Sequence, residues 1–289
     1  MKQFDQRVAV ITGAASGIGL ALANAAAARG MKLVLADVDK AALDRAADAL
    51  RTDGSQVLAM PTDVSEPEQV QALADAAMAE YGAVHLLCNN AGVGGGGCLW
   101  EMDLDYWHWV INVNLWGVVH GIRSFTPLLL EQDEAHIVNT ASIAGLMSAP
   151  GTGPYTVSKH AVVSLSEMLH GELKAATGNV GVSVLCPSFV NTSIYSSERH
   201  RPEDPANPPD AATLAEREAV EALGKAFFDD AGIPPERIAE LVFEGIQAKD
   251  FYLLSHPQGS REQIEKRMRA ILDNGHPGVS GAGDFPIQL

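Results

Sequence analysis

Cysteine is scarce in this sequence: Cys88, Cys98 and Cys186 stand far apart and are odd in number. They form neither a disulfide framework nor a zinc-binding spacing, and they suit a reducing compartment. Positive charge is also short, with 20 lysines and arginines against 36 aspartates and glutamates and a formal net charge of −16. An acidic surface repels phosphate backbones, so nucleic acid is not an expected partner. The plainer consequence of the charge is solubility. No apolar run is long enough to span a bilayer, so no membrane segment is expected. The strand-like run Arg7–Ile11 starts so near Met1 that no signal or transit peptide is expected, and the expected setting is cytoplasmic. Among nine histidines, none stands in a His-x-x-x-His or Cys/His pair, so no metal is expected.

What the sequence does have is apolar material, 47% of its 289 residues, enough for one large α/β domain. Short β-rich runs alternate with helical stretches. The strand candidates are Val8–Ile11, Lys32–Ala36, Val57–Met60, Val84–Asn89, His136–Thr140, Val182–Cys186 and Phe251–Leu254. Helices such as Ile18–Arg29, closed by Gly30, lie between them. Strands apolar on both faces and separated by helices predict a parallel, doubly wound sheet of about seven strands with helices on both sides. Two stretches break this rhythm. The charged, proline-rich Ser196–Asp210 and its helical continuation make residues 188–232 a candidate substrate lid, although a solvated loop would read similarly. In the tail, 258–289, Ile264, Met268, Ile271 and Leu272 recur at helical spacing and predict a docked helix.

Thr12-Gly13-Ala14-Ala15-Ser16-Gly17-Ile18-Gly19 follows the first strand and opens the first helix. Small residues there let a pyrophosphate approach the backbone amides at a positive helix end. The second strand ends in Asp37, about 20 residues further on, where a carboxylate binds ribose hydroxyls and repels a 2′-phosphate. Val38 and Ser16 supply no cation for that phosphate, so NAD is preferred over NADP. Alternatively, Asp37 could merely cap the next helix.

Tyr155-Thr-Val-Ser-Lys159 sets a phenol and an ammonium on one face of a helix opened by Pro154. A free phenol, with a pKa of about 10, is a poor base near neutrality. A charge at ~4 Å in an effective dielectric near 20 is worth about 4 kcal/mol, or roughly three pKa units, so lysine plus an oxidised nicotinamide would supply a phenolate near working pH. Ser142, just beyond the fifth strand, can hold a substrate oxygen, or it can simply form a turn before Gly145.

Taken together, Thr12–Gly19, Asp37, Asp63-Val64, Asn89-Asn90-Ala91-Gly92, Asn114, Ser142, Tyr155 and Lys159 resemble the short-chain dehydrogenase/reductase family, a Rossmann-fold group. The resemblance runs from Arg7 to Thr192 and includes Pro187-Ser188-Phe189-Val190-Asn191-Thr192, with Ser188 where the family usually has glycine. It implies that Asp63 binds the adenine amino group beside Val64, and that Asn90, Ala91 and Gly92 line the adenosine ribose and hold the central strands together. Asn114 would interrupt its helix and hold a water that relays protons to Lys159. Lys159 would also bind the nicotinamide ribose, with Pro187, Val190 and Thr192 on the carboxamide side. Catalysis would pass a proton through Tyr155 as hydride moves between a nicotinamide and an alcohol or ketone.

The expected pocket walls are Gly94–Leu99, Ile143–Pro150 and Phe189–Tyr195. Their Leu99, Ile143, Leu146, Met147, Phe189, Ile194 and Tyr195 suggest a medium or bulky hydrophobic secondary alcohol or ketone, cyclic, aromatic or steroid-like. Tyr106, Trp107, Trp109 and Trp116 read as core or subunit-contact residues. By the resemblance, their helix and the Tyr155 helix pack against a partner subunit in a homodimer or homotetramer. Two other functions remain open: a non-catalytic dinucleotide-sensing protein, and an NADP-dependent carbonyl or ketoacyl reductase.

Overall fold

The computed structural model describes residues 1–176, 178–202 and 210–277. The proline-rich stretch 203–209 and the tail 278–289, both part of the expectations above, lie outside the described residues.

Every strand of the sheet follows a run that the sequence makes apolar on both faces. They are β1 (Val8–Thr12), β2 (Lys32–Asp37), β3 (Val57–Pro61), β4 (Leu86–Asn89), β5 (Ala135–Thr140), β6 (Val180–Cys186) and β7 (Tyr252–Leu254). All pairs are parallel, in the order β3-β2-β1-β4-β5-β6-β7. The chain thus belongs to the doubly wound α/β class. The order reverses between β1 and β4, so the carboxyl ends of those strands part and leave a crevice where such sheets bind ligands.

Alternation along each strand divides the core. Ala9 and Ile11 of β1, with Leu33 and Leu35 of β2, face α1 (Gly17–Ala27) and α8 (Pro235–Ala248). Val8, Val10 and Val34 face the opposite layer, where Phe125 and Leu129 of α5 (Gly117–Leu130) and Leu73 of α3 (Pro67–Tyr81) are fully buried. Each such side chain contributes about 1.5–3 kcal/mol by leaving water. Phe243 of α8 lies edge-on to Phe4 at 5.1 Å and under the Arg29 guanidinium at 4.4 Å. The helix ends follow their local chemistry. Asp39 caps α2 (Lys40–Thr52) by accepting the Ala42 N–H at 2.9 Å. Gly82 closes α3 in the left-handed region, φ 72°.

The helix after β4 is not continuous. α4 (Leu104–Ile111) passes into a π-helical turn, Asn112–Trp116, before α5 begins. Such bulges turn one side chain out of helical register, and here it is Asn114. The long α6 (Gly153–Ala176) carries the Tyr-x-x-x-Lys pair. A 3-10 segment, Ser193–His200, leads from β6 toward α7 (Ala211–Ala231).

One expectation fails. The tail does form a helix, α9 (Pro257–Leu272), but it does not dock through its apolar stripe: Met268, Ile271 and Leu272 are 45%, 56% and 79% exposed. Helical periodicity reports one apolar face without saying what covers it. The aromatic group also divides. Tyr106 and Trp109 are core, edge-to-face at 5.6 Å, whereas Trp116 is exposed and stacks on His120.

Candidate active site

At the β1 end of the crevice the chain turns through two left-handed glycines, Gly13 (φ 64°) and Gly17 (φ 51°). A Cβ on Gly19 would lie 1.9 Å from the Gly13 carbonyl oxygen, so only glycine lets α1 start so close to the loop. Ser16 stands at the N-cap without a side-chain capping bond, which leaves the first N–H groups of α1 to another acceptor. The Thr12 hydroxyl accepts the N–H groups of Asn90 (2.9 Å) and Ala91 (3.0 Å), and Asn90 Nδ2 donates to the Thr12 carbonyl at 3.0 Å. These bonds hold β1 to β4 where the crevice opens.

Asp37 ends β2 half-buried. Its Oδ2 accepts the Ala15 N–H at 2.9 Å and its Oδ1 the Asp39 N–H at 3.0 Å, so it braces the glycine-rich loop and does not cap α2. Val38 beside it is exposed. Asp63 turns onto Ser65, accepting its N–H at 2.9 Å and its hydroxyl at 2.7 Å, and the Val64 carbonyl bonds the His120 ring at 3.0 Å. The glycine cradle, the uncapped helix start and the half-buried Asp37 carboxylate at the end of β2 together fit a dinucleotide.

The second half of the site lies at the carboxyl ends of β5 and β6. Lys159 is 3% exposed, and its ammonium donates to the Thr140 carbonyl at 3.0 Å. It stands 5.6 Å from the centre of the Tyr155 ring. Ser142, buried at the N-cap of the 3-10 turn Ile143–Gly145, donates to the Pro187 carbonyl at 3.4 Å and accepts the Ala144 N–H at 3.1 Å. It stands near enough to the Tyr155 phenol to favour its ionised form. Asn114 is wholly buried: Oδ1 accepts the Val93 N–H at 2.8 Å, and Nδ2 donates to the Val93 carbonyl (3.0 Å) and Ser158 Oγ (3.2 Å). A Cβ on Gly92 would stand 3.3 Å from Asn114 Oδ1 and 3.4 Å from Lys159 Nζ, so both groups converge on that glycine. All four catalytic candidates are therefore neighbours.

The electrostatics of the protein alone set what a bound cofactor must overcome. Burial pushes the Tyr155 phenol above its ordinary value, and Ser142 only partly opposes this. Burial likewise pushes the Lys159 ammonium down to about 8. The protein alone therefore does not hold Tyr155 as a phenolate near neutrality. Removing both groups from water opposes their charged forms, and the phenolate is expected only with Lys159 and an oxidised nicotinamide acting together. The Cys186 thiol near them is pushed up to about 12 by burial and stays neutral.

Pro187 and Val190 follow β6, and Thr192 touches the glycine-rich loop: its Cγ2 would lie 3.0 Å from a Cβ on Gly17. Ser188 is not among the described residues with positive φ, so its backbone does not need glycine. Its N–H donates to Ser255 Oγ at 2.9 Å, and Ser255 bonds His256 Nδ1 at 2.8 Å. Ile143 and Leu146 are half-buried beside Ser142, and Met147 is buried. Leu99 is 56% exposed at the rim. Phe189 and Tyr195 do not stand free as a wall. Phe189 meets Phe227 of α7 at 4.7 Å, and Tyr195 meets Phe228 at 5.9 Å.

Sequence reasoning missed Thr140 and Ser158, whose roles run through backbone and amide contacts, and the α7 phenylalanines. It also missed His200, whose pKa is lowered by burial and by Arg199 against the opposing charges of Asp37 and Asp39. Only the helical continuation after Asp210 hinted at any of these.

The comparisons agree with this geometry. A model of the short chain dehydrogenase family matches residues 7–203, and the chain belongs to that family of oxidoreductases. It is 40% identical over 271 residues to a 1-deoxy-11-beta-hydroxypentalenate dehydrogenase of Streptomyces exfoliatus, covering 92% of this chain and 90% of that one. A short-chain dehydrogenase/reductase of Burkholderia phymatum, solved in complex with NAD, is similar over 98% of this chain and 100% of its own, at 48% identity and a TM-score of 0.89. An alcohol dehydrogenase of the archaeon Thermococcus sibiricus, complexed with 5-hydroxy-NADP, is similar over 86% of this chain and 96% of its own, at 27% identity and a TM-score of 0.70.

Because Ser188 lies outside the left-handed region, Ser188→Gly should leave the KM for the dinucleotide within about twofold, at a stability cost of at most ~1 kcal/mol. Steady-state kinetics with thermal denaturation check this. A large gain in affinity would mean that serine strains the segment.

Proposed function

We propose that the chain is an NAD(H)-dependent oxidoreductase that interconverts a hydrophobic secondary alcohol and its ketone, with Tyr155 carrying the proton. The observation that carries this reading is the convergence of Tyr155, Ser142 and the buried Lys159 ammonium at the carboxyl edge of the sheet, next to the glycine cradle. A nicotinamide dinucleotide, when bound, supplies the hydride acceptor and, in its oxidised form, a positive charge. Gly13, Ser16, Gly17, Ile18 and Gly19 receive the pyrophosphate, Asp37 the adenosine ribose, and Asp63 and Val64 the adenine. Asn90, Ala91 and Gly92 line the ribose, while Pro187, Val190 and Thr192 hold the carboxamide side. Lys159 binds the second ribose.

Ser142 holds the substrate oxygen. In oxidation, Tyr155 Oη takes the hydroxyl proton, and in reduction it returns it. Lys159 favours the phenolate by its charge, and Asn114 keeps the proton route beside Lys159 in place. The preference for NAD rests on Asp37 and uncharged Val38, supported by the NAD-bound Burkholderia relative. The NADP analogue in the Thermococcus neighbour makes an NADP-dependent reductase the second reading. Leu146, Met147 and Ile194 favour an apolar substrate, and α7 serves as its lid. The free thiols accord with a cytoplasmic setting.

Tyr155→Phe should lower kcat by about 10²–10⁴ while leaving the Kd for NADH, read by fluorescence, nearly unchanged. Near-normal turnover would refute the assignment. Because burial raises the Tyr155 pKa and the deprotonated form is the base, kcat/KM for oxidation should rise with pH, whereas reduction, which uses the phenol, should fall.

Removing the carboxylate that repels a 2′-phosphate, as in Asp37→Ser, should shift the NAD:NADP ratio of kcat/KM at least about tenfold toward NADP. An unchanged ratio would sink the role given to Asp37.

Exposed Leu104, Trp116, Val157 and Met168 on α4, the π-helical turn and α6 support a homodimer or homotetramer through these helices. A monomeric mass by light scattering at micromolar concentration would rule this out.

A further inference from the structure

The 3-10 segment Ser193–His200 runs on to Arg201 and crosses the site, tying its two walls together. At its start, Thr192 touches Gly17 of the cofactor loop. In its middle, Ser197 Oγ accepts the Gly94 N–H at 3.0 Å and donates to the Ile194 carbonyl at 2.5 Å. A Cβ on Gly94 would come within 2.9 Å of the Ile194 oxygen, so the two walls are in backbone contact there. At its end, Arg201 Nη2 donates to Asp103 Oδ1 at 2.9 Å and Oδ2 at 3.2 Å, and its guanidinium lies 5.0 Å from the centre of the Tyr106 ring.

The receiving side is rigid. Asp103 is the N-cap of α4 and accepts the Tyr106 N–H at 2.5 Å. Burial works against its charge, but that N–H and Arg201 outweigh it and hold the carboxyl below its usual range. Tyr106 is packed in a small core with Val93, Trp109 and Val110. Glu198 anchors the other side of the strap to Arg217 of α7 at 3.0 Å. The Arg201 side chain is 21% exposed and that of Asp103 61%, so water reaches the carboxylate. The pair holds through its two-oxygen geometry and the Tyr106 ring more than through unscreened charge.

We propose that Arg201 and Asp103 form a clasp that holds Ser193–Arg201 against the β4–α4 loop. They are positioning residues for the substrate pocket, acting through Ile194 and Tyr195 on one side and Gly94 on the other. This rests on the oxidoreductase reading for its kinetic consequence, but not for its structural one. The clasp touches none of the reacting groups, so its loss loosens the pocket and leaves the chemistry of Tyr155 unchanged.

The test compares Arg201→Ala, Arg201→Lys, Asp103→Asn and the double variant Arg201→Ala/Asp103→Asn. Asparagine keeps an N-cap acceptor while removing the charge, so Asp103→Asn separates the clasp from the fold of α4. With whichever alcohol the wild type oxidises, each charge-removing single variant should raise KM about 5- to 20-fold, with kcat within about threefold. The double variant should be no worse than the worse single, and Arg201→Lys should recover part of the loss. Hydrogen exchange read by mass spectrometry should rise together in peptides covering 93–102 and 192–201 of the variants, with or without a substrate in hand. Unchanged KM and exchange, additive effects of the two substitutions, or parallel losses of kcat and Tm would overturn the clasp. Coupled exchange in a protein that oxidises no alcohol would instead uphold the clasp and overturn the functional reading.

Discussion

The site is organised around an ammonium that has been taken out of water without a carboxylate to pay for it. Among the described residues no acid pairs with Lys159; its ammonium donates to the Thr140 carbonyl at the end of β5. A buried, unpaired cation is costly, so it persists only where the fold imposes it and some ligand or transition state gains from it. The cost shows in the depressed ammonium pKa. Around it the chain places groups that are polar but uncharged: Ser142, Asn114, Ser158 and the Tyr155 phenol. Nothing nearby competes for the charge, which remains available to a phenolate, a ribose hydroxyl or both.

Reaching that arrangement requires three distant parts of the chain. β5 provides Thr140 and the turn that presents Ser142. α6 provides Tyr155 and Lys159 one turn apart. The π-helical turn between α4 and α5 rotates Asn114 inward, where its amide holds both backbone groups of Val93 and so fixes the loop beyond β4. A regular helix there would direct a different side chain toward the site. The fold thus gives up some helical regularity to gain a fixed polar contact beside Lys159. The glycine-rich loop meets the same end of the sheet through Thr12 and Asn90, so the crevice and the Tyr155–Lys159 cluster share one edge.

Much of this is legible from residues alone. Strands buried on both faces leave continuous apolar runs, and all seven anticipated strands are present within two residues at each end. Short-range signals carried the glycine loop, Asp37 and the Tyr155–Lys159 spacing. Longer-range consequences did not show. Spacing along α6 put a cation beside the phenol but could not show how deeply both would be buried, which opposes their charged forms in the protein alone. The stripe on α9 looked like a docking face, but periodicity does not name a partner. The Phe189–Phe227 contact and the Arg201–Asp103 pair join residues far apart in sequence, and no local pattern announces such pairs.

The account turns on whether a bound cofactor and Lys159 together reverse the burial penalty on Tyr155. An ultraviolet difference titration of tyrosinate, wild type minus Tyr155→Phe, reads that phenol directly. The account predicts no Tyr155 signal below its ordinary value of 10.0 in the protein alone. It predicts ionisation well below that pH once NAD+ is bound, and loss of this shift in Lys159→Met. An unshifted phenol in the presence of NAD+, or an equal shift without Lys159, would contradict it.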